Sequence, residues 1–156
     1  MTTIAPPAPP PALPPPVPAG PPPSTPLRTA ARLLLAGAMV FAGLSHLFWG
    51  RKDFQAQVPD WVTKTAPIDT DGVVVASGAV EIMLGAGLAV LRRDRVLVGR
   101  LLAAFFVAVF PGNIAQYLGK RDAFGLDSDR KRLVRLVFQP VLVAWALWST
   151  AVPRSR

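Results

Sequence analysis

The 156-residue chain contains no cysteine. That absence removes disulfides, thiolate metal sites, iron–sulfur clusters and thiol–disulfide exchange together. Histidine occurs once, as His46. A lone imidazole without thiolates is a poor metal or haem ligand, so neither group is expected. No serine–histidine–acid set, phosphate-cradling glycine loop or pair of carboxylates can be assembled from the motifs, and catalysis by this chain alone is not expected. Charged residues make up only 17% of the chain. They are concentrated between apolar runs, and none occurs from Met1 to Pro26.

That uncharged N-terminal stretch holds thirteen of the eighteen prolines. Proline removes backbone donors and favours polyproline II, so residues 1–28 read as a disordered proline-rich tail rather than a packed unit. The stretch has no basic start and no cleavage motif after an apolar run, which argues against a secretory signal.

Hydrophobic residues form 51% of the chain. They gather into four stretches, about Leu33–Gly50, Gly72–Leu91, Leu101–Leu118 and Leu136–Val152. Each approaches the ~20 residues that cross the hydrocarbon of a bilayer. The expectation is an all-α fold, a four-helix transmembrane bundle over residues 29–156. The lipid bilayer is its first partner. The net charge of +8 would suggest nucleic acid in a soluble protein. Here the arginines flank apolar spans, so anionic headgroups suit them better and no nucleic acid is expected. Lys and Arg nearly balance between the two sides. The shortest loop, however, is dense in arginine, with Arg92, Arg93, Arg95 and nearby Arg100. The expected topology is a multi-pass protein of the cell membrane with both termini cytoplasmic.

The loop Arg51–Asp71, with Pro59, Trp61 and Pro67, reads as a surface-lying segment that caps the bundle. Asp69 and Asp71 suit the start of the second helix. Pro111 and Pro140 fall inside the third and fourth helices, where each should bend its helix and free a carbonyl. The polar loop Gly119–Lys131 should separate those helices.

Each span carries an expensive polar residue: His46, Glu81, Asn113 and Gln139, with Arg135 one turn before the last. Alternating helix direction brings all five into one leaflet. Glu81 costs ~2.5–3.5 kcal/mol if left charged and unpaired in hydrocarbon, so it should face the bundle. Gly78 and Gly85 share its stripe and admit a close neighbour. It is either a functional carboxyl or a packing group that fixes helix register. His46 can partner Glu81, relay a proton, or rest as an interfacial histidine. Asn113 can repair backbone opened by Pro111 or bind a ligand in the gap. Arg135 and Gln139 lie four residues apart on one helical face. Arg135 can reach headgroups, or act as counter-ion for Glu81 or for a quinone-like head. Such a polar pocket in an apolar bundle suits a carbonyl or hydroxyl on a greasy molecule.

The order of these motifs resembles the DoxX-like family of small membrane proteins. The resemblance rests on Phe41-Ala-Gly-Leu-Ser-His46, Ser77-Gly-Ala-Val-Glu81, Val109-Phe-Pro-Gly-Asn-Ile114, and Arg135 and Gln139 followed by Trp145-Ala-Leu-Trp148. It implies a four-helix transmembrane fold and a link to membrane redox chemistry, as an accessory or quinone-associated subunit with redox protein partners. Two other classes stand beside it: a structural or scaffolding membrane protein, and a small-solute transporter.

Overall fold

The computed structural model describes residues 20–153, so the expectation for residues 1–19 of the tail lies outside the described residues. The rest is helical: α1 Pro26–Leu47, α2 Arg51–Gln55, α3 Asp60–Thr65, α4 Thr70–Val90, α5 Arg95–Leu118 and α6 Asp129–Thr150, with no strand among the described residues. Local chemistry explains the helix starts. The Thr25 side chain accepts the Arg28 N–H and Pro26 takes the first helical position, where its missing donor costs nothing. Asp69 caps α4 through the Gly72 N–H at 2.7 Å, and Ser128 caps α6 through Lys131 at 3.4 Å.

α1, α4, α5 and α6 are each long and apolar enough to cross a membrane. At ~1.5 Å per residue their 21–24 residues span roughly 32–36 Å. Their outer faces carry the apolar side chains: Leu34, Phe41, Met83, Val107, Val134 and Val137 are all exposed. Large apolar residues pointing outward while polar ones point inward is the arrangement a lipid solvent selects. This is a membrane protein with an all-α bundle fold.

The helices pack as two antiparallel pairs, α1 on α4 and α5 on α6, with thinner contact between pairs. Small residues set the first pair. A Cβ on Gly78 would stand 2.6 Å from the His46 Cβ, and one on Gly85 would stand 2.8 Å from the Ala36 carbonyl oxygen. Gly85→Val is therefore expected to lose about 1–3 kcal/mol in thermal unfolding in detergent. Gly37→Ala is the control: its Cβ meets nothing within 4 Å, so it should be neutral or slightly stabilising. Leu35, Ala36, Met39, Leu88, Val98, Leu102, Ala103, Phe106 and Ala146 fill the half of the bundle near the chain termini. The other half is left open for the cavity described below.

Three boundaries differ from the hydropathy reading. α1 starts at Pro26, within the stretch assigned to the tail. α5 starts at Arg95 and α6 at Asp129, each well before its apolar run. Caps and charged first turns extend a helix beyond the hydrocarbon, and an apolar window sees only the hydrocarbon part. Both internal prolines lie within continuous helices.

Candidate functional site

All five residues singled out in the spans line one cavity of about 630 Å³. That volume lies in the range of small-molecule sites. His46 enters from the end of α1, Glu81 from the middle of α4, Asn113 from the last third of α5, and Arg135 and Gln139 from the first half of α6. Most of the remaining wall is apolar, including Met39, Phe105, Val109 and Leu142.

The polar residues divide into two groups. The first is closed on itself. Asn113 Nδ2 donates to Gln139 Oε1 at 3.0 Å, and Gln139 Nε2 donates to the Phe106 carbonyl at 2.6 Å. Arg135 Nε donates to Asn113 Oδ1 at 3.1 Å and its Nη2 to Gln57 Oε1 at 2.9 Å. Two expectations change accordingly. Asn113 donates to Gln139 rather than to the backbone near Pro111, and Gln139 donates to Phe106, one residue before the Val107 carbonyl whose helical donor Pro111 removes. Arg135 makes no direct ion pair with Glu81; its planar fork donates to two amide oxygens and lies over the Phe124 ring at 5.1 Å.

The second group is open. His46 Nδ1 lies 3.0 Å from Glu81 Oε2, but off the line that a ring N–H donor requires. Ser77 Oγ is 3.4 Å from the same nitrogen and gives its own proton to the Val74 carbonyl at 2.9 Å. His46 Nε2, Glu81 Oε2 and Gln57 Nε2 are buried without a hydrogen-bond partner. All three belong to residues lining this cavity.

A cap covers the site, as the proline- and tryptophan-bearing loop suggested. Gln57, Val58, Pro59, Trp61 and Val62 from the α2–α3 region form its inner surface. Arg51 holds Asp71 with both ends of its guanidinium, and Gln55 adds a bond to Asp71 at 3.2 Å. The α5–α6 loop latches onto the cap through Arg121, which donates to the Val58 carbonyl at 3.1 Å and to Asp60 at 2.8 Å. The Arg121 hydrogen bond holds the Asp60 carboxyl below the usual aspartate value of 3.8. A depressed carboxylate contributes its stabilisation above that value and loses it as pH falls through the lower folded-state value. Backbone hydrogen exchange at residues 58–62 should accordingly rise on acidification below pH 3.8 in wild type, and Asp60→Asn should already show the raised level at neutral pH.

Gln57, Phe54 and Phe124 were not anticipated. A glutamine or phenylalanine in a polar loop carries no anomaly that hydropathy can reveal. Phe124 adopts φ 56°, an uncommon left-handed conformation for a bulky residue. Its ring packs edge-on against Phe54 at 4.5 Å and underlies Arg135. On the outer seam of α5 and α6, a second, almost wholly apolar groove of about 430 Å³ is lined by Val107, Phe110, Pro140, Val143, Ala144 and Leu147, and it shares Gln139 with the cavity.

Comparison with known proteins finds no match among curated proteins and none among solved structures. One family model, described as a domain of unknown function (DUF8561), matches residues 35–150. That match begins on α1, ends at the last residue of α6 and takes in every cavity residue named above, so the chain belongs to the DUF8561 family.

Proposed function

We propose that this membrane protein binds the carbonyl- or hydroxyl-bearing head of an isoprenoid quinone, as an accessory subunit of a membrane redox system. The observation that carries the reading is the set of unpartnered atoms. His46 Nε2, Glu81 Oε2 and Gln57 Nε2 are buried without a hydrogen-bond partner, and their residues line a cavity whose other walls are mostly apolar. Buried polar atoms normally have partners. The Glu81 oxygen matches a hydroxyl proton of a reduced head, the Gln57 amide matches a carbonyl oxygen, and the His46 nitrogen matches either according to its tautomer. The apolar groove past Gln139 offers a chain the same solvent as the lipid. The resemblance of the His46, Glu81 and Asn113 motifs to the DoxX-like family supports the redox setting. Electrons would pass through partner proteins, since the chain has no cysteine to carry them.

The scaffolding reading has one observation of its own. Asn113, Gln139 and Arg135 bond to one another and to Gln57, which is how packing residues behave. The test separates the two. The purified protein is extracted with organic solvent and its isoprenoid quinone measured by mass spectrometry, beside Glu81→Ala and Asn113→Ala. Stoichiometric quinone in wild type, lost in Glu81→Ala, supports binding. Quinone at membrane background in all three leaves the cluster a packing device.

A further inference from the structure

Charge is distributed unevenly between the two ends of the bundle. The Lys/Arg–Asp ion pairs among the described residues, from Arg51–Asp71 to Arg132–Asp129, all lie at the cavity end. At the opposite end Arg28, Arg32, Arg92, Arg93, Arg95 and Arg100 face a single acid, Asp94. Two of these arginines are inside the protein: Arg32 is 4% exposed and Arg95 is 3% exposed. Buried cations are normally paired with an anion.

Here they meet carbonyls instead. Arg32 donates to the Leu88 carbonyl, and its Nε has no partner. Arg95 donates to the Thr150 carbonyl at 3.2 Å and to the carbonyls of Pro22 and Pro23. Arg28 donates to the Ala151 carbonyl at 2.8 Å. Leu88, Thr150 and Ala151 stand at the C-terminal ends of α4 and α6, whose dipoles place roughly half a negative charge at each end. That partial charge offsets part of Arg32 and Arg95. It leaves nothing for Arg92 and Arg93, which are exposed in the short turn beside them.

We propose that this end of the bundle binds a phosphate-bearing anion. Exposed Arg92 and Arg93 present guanidinium forks that match phosphate oxygens, partly exposed Arg28 lies beside them, and Arg32 and Arg95 beneath supply the field. The turn between α4 and α5 lies where spanning helices leave the hydrocarbon, at the depth of headgroup phosphates. An acidic phospholipid and free phosphate share this chemistry.

The experiment measures the melting temperature of the full chain in phosphatidylcholine nanodiscs, in discs that also contain phosphatidylglycerol, and in phosphatidylcholine discs with added inorganic phosphate. The variants are Arg92→Gln/Arg93→Gln and, as control, Lys52→Gln/Lys64→Gln, two exposed cations of the cavity end. Phosphatidylglycerol is expected to raise the melting temperature of wild type and control by several degrees. The arginine variant should lose most of that shift. Because each shift is read within one variant, a change in baseline stability does not disturb it. A shift seen only with phosphatidylglycerol assigns the anion to a lipid, and one matched by inorganic phosphate assigns it to a soluble ligand. No shift in wild type, or equal shifts in the arginine variant and the control, overturns the proposal.

Discussion

Glu81→Gln is expected to melt a few degrees higher than wild type once bound lipid has been stripped, and to lose at least about tenfold in quinone affinity, ~1.4 kcal/mol. The two halves of this result have one cause. Glu81 Oε2 is buried without a hydrogen bond, and an unsatisfied buried acceptor costs about 1–3 kcal/mol. Charge on it adds to that cost in hydrocarbon. The amide keeps the volume and removes the charge. A net gain of ~1 kcal/mol corresponds to roughly 2–6 °C for a domain of this size. A ligand hydroxyl that bonds the carboxylate loses a charged acceptor at the same time. Calorimetry of delipidated protein gives the first quantity and titration with a short-chain quinone gives the second. A packing role predicts the reverse, a lower melting temperature with no quinone effect to lose. The stability gain is the expected mark of a site kept at a cost for function.

Glu81 was legible in the sequence because it breaks a run of apolar residues. The same holds for His46, Asn113, Gln139 and Arg135, each out of place in its helix. Helix direction alone then placed them at one end. Their partners were not legible in this way. Gln57 lies in a polar loop, where a glutamine breaks no pattern, and its approach to Arg135 depends on how the cap folds over α5 and α6. Phe124 follows the same logic: its position depends on a left-handed backbone that no periodicity encodes. The division of the cluster into a closed amide–guanidinium group and an open His46–Glu81 pair was also out of reach. Hydrogen-bond direction depends on distances of a few tenths of an ångström, whereas residue spacing resolves whole turns.

The helix ends show the converse limit. Hydropathy located the lipid-crossing parts and missed the first turns of α5 and α6, because Arg95 and the Asp129–Arg132 segment are charged. The caps at Thr25 and Ser128 were available as signals, and both precede residues that favour helix starts. Pro22 and Pro23 illustrate a further point. Proline keeps its carbonyl while lacking its N–H, so a segment that cannot build secondary structure still offers Arg95 two acceptors.

Arg135→Ala should give the largest loss of stability of any substitution at the cavity, about 2–4 kcal/mol in thermal unfolding. Among the described residues its guanidinium is the only donor to Asn113 Oδ1 and Gln57 Oε1. Each oxygen left bare carries its own penalty of about 1–3 kcal/mol. The damage should also be local in a recognisable way. Gln57 belongs to the cap, so releasing it should raise hydrogen exchange at residues 56–59 well beyond the change at α1 and α4. Gly85→Val, which opens the α1–α4 seam instead, should lower stability with the opposite exchange pattern. Arg135→Lys should recover little, because a single ammonium cannot reach in two fixed directions as the planar fork does. A double-mutant cycle with Gln57→Ala completes the argument. If the bond from Arg135 to Gln57 holds the cap, the cycle should give a coupling of about 1 kcal/mol or more. Additive losses would mean that Arg135 stabilises the bundle through Asn113 alone, and that the cap is held by Arg51 and Arg121 without it.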